Sequence, residues 1–243
     1  MAPHLAVLDE ALVDVANGRL RRLAVEMPPR HGKSKLTSQA FPAWFLGSFP
    51  DRDLILTSAT DELAAGFSMD ARDLLAEFGP SIWGVGIRDD MRGRHAWQTT
   101  KGGTCRAAGV GGAIMGKGCH VLLIDDFFKN VEEALSQTTR ESVGKWYAST
   151  SETRLEPGGS VVIVATRWHE DDLIGRQLKA MNQGGEKWEL IRFPAIAEEE
   201  DRLGRKPGDA LWPERFPIRA LEEKRRSYAI RGYEWMWEAL YQQ

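Results

Sequence analysis

Gly32-Lys33-Ser34 has the make-up of the tail of a phosphate-binding loop. The complete pattern G-x-x-x-x-G-K-[ST] carries a glycine five residues before Gly32, and this chain has Met27 there. The flanks decide how the triplet is read. "RLAVEM" at 22–27 predicts a short strand, and "KLTSQAFPAWFLGSF" after Ser34 predicts a helix, kinked or restarted at Pro42. A strand, a loop and a helix in that order form the setting a phosphate cradle needs. Backbone N–H groups at the helix start face the phosphates, the Lys33 ammonium bridges β and γ oxygens, and the Ser34 hydroxyl holds Mg²⁺. Arg30, inside the loop, can add a second cation for the γ-phosphate.

Two further strings supply matching chemistry. In "HVLLIDD" an apolar run delivers Asp125 and Asp126 at its end, as a Mg-nucleotide site requires. Asp125 would hold the metal, usually through water, and Asp126 would orient or deprotonate the attacking water. In "VVIVATRWHEDDL" a β-branched strand ends in Ala165-Thr166-Arg167, which can set a hydroxyl beside the γ-phosphate. Glu170, Asp171 and Asp172 suit the start of a helix, where the dipole favours negative charge. His169 has no second histidine at ligand spacing, so no metal site is expected there.

The elements that would position these residues alternate between strand and helix. A helix is predicted over 5–17, stopped by Asn17-Gly18, then strands at 22–27 and 53–60. A helix follows at 61–79, capped by Asp61 or Thr60, and 80–112 reads as a β-hairpin or meander, an insertion in the alternation. A strand at 120–125, a helix at 130–155 and a turn at Pro157-Gly158-Gly159 come next. Strands at 160–166 and 188–196, both central, flank a helix at 170–182 with acids in its first turn. The last thirty residues read as helical and carry Trp235 and Trp237. Strands apolar throughout imply a mostly parallel sheet covered by helices on both faces, an α/β fold, with a small C-terminal helical unit.

Composition narrows the classes. With 42% hydrophobic and 28% charged residues the chain can bury one sizeable core. No apolar run approaches the roughly 18 residues a membrane span needs, and the N-terminus has no secretory pattern. Cys105 and Cys119 make no disulfide framework. A net charge of −3 argues against coating nucleic acid by bulk charge. Local basic clusters exist at Arg88, Arg92, Arg94, Lys101 and Arg106 and at Lys224-Arg225-Arg226.

"PPRHGKS", "LLIDD" and "ATRWHEDDLIGR", in that order, with "FFKNVEEALS" and the terminal "LYQQ", resemble the large terminase subunit of tailed double-stranded DNA bacteriophages. The resemblance runs from Pro28 to Gln243 and implies a P-loop NTPase of the additional-strand, catalytic-glutamate type. Such a protein hydrolyses ATP with Mg²⁺ and translocates double-stranded DNA into a procapsid. It works as a homo-oligomeric ring on the portal protein, with a small terminase subunit, in the host cytoplasm and not in the mature virion. In the family the front of the loop is commonly basic, so Met27 and Arg30 are in keeping. The resemblance gives the nucleotide-binding loop to Pro29, Arg30, His31, Gly32, Lys33, Ser34 and Lys35, and the metal to Ser34 and Asp125. It gives the coupling motif to Thr166 and Arg167, and adenine contacts to the region of Pro3 and His4.

The chain departs from the family in three places. Asp126 stands where many members have glutamate, one methylene longer. Lys117 lies where a basic residue acting on the neighbouring subunit is expected, with Arg106 and Arg140 as rivals. The nuclease domain that usually follows is not expected here, since the chain ends at Gln243, so no DNA cleavage is predicted. The implied organisation is an ATPase core at 1–204 and a helical linker or lid at 205–243. Two other classes fit the same cradle: a P-loop kinase or transferase, which needs an acceptor pocket, and a nucleotide-binding switch without turnover.

Overall fold

A strand that is apolar on both sides must be covered on both sides, and that requirement organises the chain. The computed structural model describes residues 1–112, 114 and 118–243, apart from the side chains at 151 and 152. It contains one 8-stranded sheet. The strands are β1 (Arg22–Glu26), β2 (Leu54–Ser58), β3 (Ile87–Arg92), β4 (Ala96–Thr99), β5 (Thr104–Gly109), β6 (Cys119–Asp125), β7 (Leu155–Ala165) and β8 (Glu189–Arg192). Their order across the sheet is β3-β4-β5-β2-β6-β7-β1-β8. All neighbours from β5 to β8 pair in parallel, and β3 and β4 add an antiparallel edge. β7 stands between β1 and β6 as the additional strand of the P-loop class named above.

The helices are α1 (Pro3–Ala16), α2 (Phe41–Ser48), α3 (Asp61–Ile82), α4 (Val131–Leu135), α5 (Gln137–Arg154), α6 (Leu173–Asn182), α7 (Ile218–Ile230) and α8 (Glu234–Trp237). Alternate strand residues go to opposite faces. Leu23, Val25, Leu54, Leu56, Leu123 and Val164 meet Leu8 and Leu12 of α1, Phe45 of α2 and Leu75 of α3. The interleaved Ala24, Ile55, Leu122, Ile124 and Ile163 meet Val143 of α5 and Leu173 and Ile174 of α6. Pro42 restarts the helix after the loop: residues Lys35–Ala40 form π-helical turns that pass into α2. Thr60 caps α3, its side chain accepting from the Leu63 N–H.

The meander read at 80–112 is present as β3, β4 and β5, antiparallel in turn, and its last strand joins the main sheet by pairing in parallel with β2. Several expectations need correcting. Pro157-Gly158-Gly159 is no turn between elements. It lies inside β7 as an irregularity in its pairing with β6, with Gly158 at φ 84. The helix read at 130–155 is two, α4 and α5, broken at the extended Ser136. The strand read at 188–196 is shorter and forms an edge, β8, paired only to β1 within the sheet. Asp172 caps α6, accepting from the Gly175 N–H, so the acidic run precedes that helix instead of filling its first turn.

The C-terminal helices dock on the core. Trp237 is fully buried and stacks on Tyr241, centroids 4.7 Å apart and planes at 8°. The Ala195 N–H donates to the Tyr241 carbonyl at 2.6 Å, and the Gln242 side chain bonds both backbone groups of Ile196 at 3.1 Å. Trp235, by contrast, is exposed. Trp237→Ala should therefore destabilise the protein by about 3–5 kcal/mol in urea titrations, the range for deleting a buried indole. Trp235→Ala should stay within about 0.5 kcal/mol of the parent, as surface changes do.

Candidate active site

Because β6, β7 and β1 lie side by side and run parallel, their C-terminal ends bring three parts of the sequence together. β1 leads into the loop at 27–34, β6 ends in Asp125, and β7 ends just before Thr166. Met27 continues the ladder, its N–H donating to the Ala165 carbonyl at 3.3 Å, while its side chain is buried in the core. No left-handed residue falls at Met27, so the position needs no glycine. The left-handed turns come later, at Arg30 (φ 63) and Gly32 (φ 95). At Gly32 a Cβ would also press on Leu5 at 3.2 Å.

Lys33 is buried, and its ammonium has three partners. It donates to both carboxylate oxygens of Asp126 at 2.9 Å and to the Thr166 hydroxyl at 2.8 Å. The Thr166 N–H donates to Asp126 Oδ1 at 3.0 Å, and the Asp126 N–H donates to the Val164 carbonyl at 3.0 Å. Asp126 sits at φ 75, which turns it out of the β6 direction. Its side chain is 40% exposed against 7% for Lys33, so water reaches the carboxylate side of the pair.

Asp125 is buried beneath this pair. Its Oδ2 accepts from the Ser38 hydroxyl at 2.5 Å, and its Oδ1 is buried with no hydrogen-bond partner. Burial pushes its carboxyl up to about 6. Lys33 pulls it back, Asp126 adds to the rise, and the hydroxyls of Ser38 and Ser34 oppose it. An orphaned buried carboxylate oxygen beside hydroxyls is a hard-oxygen donor set that suits Mg²⁺. Among the described residues no group of three His, Cys, Asp or Glu side chains gathers to hold a metal unaided. A Mg²⁺ held by Ser34 and Asp125 would draw its other ligands from water and phosphate, as it does at nucleotide sites.

The other expected residues fall in different settings. Arg30 and Lys35 are exposed on the loop and at the start of its helix. Arg167 lies half-buried between two buried acids, donating to Glu26 at the end of β1 and, at 2.5 Å, to Asp172 at the start of α6. Burial works against its charge, and Asp172 and Glu26 outweigh that and raise its pKa. Arg140 is buried, donating to the Ala134 carbonyl at 2.7 Å, and Arg106 is half-buried on β5. Lys117 lies outside the described residues. His31 is buried in the loop and stacked on Phe216, centroids 4.6 Å apart. His4 is buried as well, edge-on to Trp212 at 5.3 Å. Pro3 lines a cavity of about 640 Å³ with Leu203, Leu211, Pro213 and Pro217.

Some of this set was not foreseen. Ser38 lies one helical turn after Ser34, a spacing that is visible in the sequence. Glu26, Trp212 and Phe216 carry no local signal of their roles, since each acts through a partner distant in sequence.

The family model described as "Terminase large subunit, T4likevirus-type, N-terminal" matches residues 25–239. No curated protein matches the chain in sequence. Among solved structures the fold is similar to the large terminase of bacteriophage HK97, at TM-score 0.61 and 12% identity, over 95% of this chain and 48% of that one. It is similar to the large terminase ATPase domain of Thermus phage P74-26, at TM-score 0.60 and 13% identity, over 95% and 91%. A large terminase of a thermophilic bacteriophage in complex with ADP matches at TM-score 0.50 and 14% identity, over 90% and 50%. The chain thus spans about half the length of two of these proteins and most of the ATPase domain.

The ion pairs of Arg167 with two buried acids make a pH-dependent prediction. Arg167→Ala leaves Glu26 and Asp172 without their cation, which should cost about 3–5 kcal/mol at pH 8. Burial already lifts Asp172 from 3.8 to about 6 in the fold. A carboxylate raised in this way takes up its proton in the folded state first, so it opposes folding less as pH falls. Losing Arg167 raises it further, and the deficit of the variant should shrink from pH 8 to pH 5. Urea titrations at the two pH values measure this, and a deficit that is equal or larger at pH 5 contradicts it.

Proposed function

The chain belongs to the terminase large-subunit family, and from that premise we propose that it is an ATP-hydrolysing motor domain driving double-stranded DNA into a viral procapsid. The observation that carries the reading is the ammonium of Lys33 held between Asp126 and Thr166 where β1, β6 and β7 end together. ADP bound to a similar terminase supports a nucleotide at this loop. Pro3 beside an open cavity supports a place there for the base.

The Lys33–Asp126 pair gives the mechanism its switch. A nucleotide settling on the loop N–H groups offers its phosphate oxygens to Lys33, and each one Lys33 takes weakens its hold on Asp126. Asp126, partly exposed and still anchored by the Thr166 N–H, then accepts a proton from water as that water attacks the γ-phosphorus. The bond to the β–γ bridging oxygen breaks, and ADP and phosphate leave. A Mg²⁺ held by Ser34 and Asp125 would neutralise charge developing on the phosphate oxygens. Thr166 touches Lys33, and Arg167 next to it is locked to β1 and α6, so a change at the phosphate passes into the frame of the domain.

The proposal extends to the assembly. The reading places the chain in a homo-oligomeric ring at the portal of the procapsid, in the host cytoplasm, fed with DNA and met by a small terminase subunit. Among the described residues no helix is long and apolar enough to cross a membrane.

Lys33→Ala should abolish nucleotide binding and turnover. Asp126→Asn should keep binding Mg·ATP and lose turnover by about 10²–10⁴-fold, the worth of a positioned general base. Steady-state rates and equilibrium binding measured on the same preparations test both, and turnover surviving in Asp126→Asn removes Asp126 as the base. The rate per subunit should also rise with protein concentration and with double-stranded DNA, whereas a flat rate would argue against a site completed by a neighbour.

A further inference from the structure

His31 is the middle residue of the tightest part of the loop, with left-handed residues on both sides, Arg30 at φ 63 and Gly32 at φ 95. Three contacts grip it. Its Nδ1 bonds the Pro29 carbonyl at 2.9 Å, its own carbonyl bonds His4 Nε2 at 2.9 Å, and its ring stacks on Phe216 at 29°. Both carbonyls can only accept, so His31 carries its proton on Nδ1 and His4 on Nε2. Burial, with His4 and Arg215 nearby, pushes His31 down to about 4 against the pull of the Pro29 carbonyl, so the ring is neutral.

The carbonyl contact fixes more than one atom. In a trans peptide the C=O and the following N–H point in opposite directions, and among the described residues no peptide is cis. With the His31 carbonyl held by His4, the Gly32 N–H is aimed the opposite way within the same peptide plane. The ring contact ties the same residue to the far end of the chain. The Phe216 N–H donates to the Trp212 carbonyl at 2.7 Å, and Trp212 meets His4, so two aromatic residues of one turn hold the two histidines. Arg215 lies over both rings, at 5.2 Å from Trp212 and 5.7 Å from Phe216. Leu211 bonds the Ala195 carbonyl at 2.8 Å, and Ala195 bonds Tyr241 at 2.6 Å, so the turn is continuous with the docked C-terminal helices.

We infer that His31 is a positioning residue through which the turn at 212–216 sets the shape of the phosphate loop, and through which a bound nucleotide acts back on that turn. The second half rests on the proposed nucleotide site, and the first half does not. Such coupling is reciprocal: if the turn shapes the loop, occupancy of the loop must alter the turn. Alternating access of the loop to nucleotide would then change the footing of the C-terminal helices without any residue of theirs touching a phosphate.

Hydrogen exchange and ADP binding on the full chain test it, with Phe216→Leu and Phe216→Tyr. In the free protein Phe216→Leu should speed amide exchange at 30–34 and leave the β6 strand unchanged, and Phe216→Tyr should restore the parent rate. With Mg·ADP, Phe216→Leu should bind about tenfold more weakly, the fold-change a lost aromatic pair gives, and Phe216→Tyr within about twofold of the parent. ADP should slow exchange at 210–218 in the parent and not in Phe216→Leu. Loop exchange unaffected by Phe216→Leu overturns the inference whatever ADP does. Should the parent bind no ADP while its loop exchange responds to Phe216→Leu, the positioning role stands and the nucleotide reading falls.

Discussion

A buried ammonium is the constraint on which the rest of the structure turns. Taking a lysine out of water costs several kcal/mol unless its three N–H donors are met, and Lys33 meets them with two oxygens of Asp126 and one of Thr166. Those partners lie 93 and 133 residues away along the chain. They reach one point only because β6, β7 and β1 end next to each other. A sheet with β7 anywhere else would leave the lysine without Thr166. The strand order is thus tied to a single side chain, and the apolar packing on both faces keeps the order rigid.

The same frame absorbs a second, half-buried cation. Arg167 follows Thr166 directly and faces back toward the sheet and α6, where Glu26 and Asp172 hold it. Glu26 immediately precedes the loop residue Met27, so the loop is bounded at its start by one ion pair and at its end by another. Arg167, just after β7, and Asp126, just after β6, therefore clamp the two flanks of a nine-residue stretch running from 26 to 34. Buried pairs of this kind contribute little net stability, yet breaking one is costly, which makes them better at fixing geometry than at strengthening a fold.

How much of this was legible follows the range of the interactions. β2, β6 and most of β7 were readable because full burial makes a run apolar throughout, and the Gly32-Lys33-Ser34 triplet because a phosphate cradle has local requirements. Misreadings arose where tertiary pairing overrode local chemistry. Pro157-Gly158-Gly159 has turn residues, yet β6 alongside keeps it in the ladder as an irregularity. The apolar 188–196 run looks central, but part of it is buried by the C-terminal helices and not by a further strand. Met27, which departs from the full glycine pattern but is in keeping with the family's loop, fills the core with its side chain, and the backbone there needs no glycine. The His31–Phe216 stack spans 185 positions and leaves no periodic or motif signal at either end.

The aspartate at 126, where glutamate is common in the family, is accounted for by the backbone beneath it. At φ 75 the residue is in the left-handed region, which aspartate tolerates better than most residues other than glycine and asparagine, glutamate included. The turn swings the side chain off the strand axis, and there the short carboxylate meets Lys33 with both oxygens at 2.9 Å. A longer side chain on the same backbone would overshoot that pairing, and a regular strand backbone would leave the shorter one pointing away from it. Arg30, in the phosphate loop, is left-handed as well. Strain of about 1–3 kcal/mol per residue is tolerated at such points when surrounding contacts fix the conformation. Here the Val164 carbonyl and the Thr166 N–H do so for Asp126. The short acid and the unusual backbone are one solution, and a change to either alone would undo the pairing on which Lys33 depends.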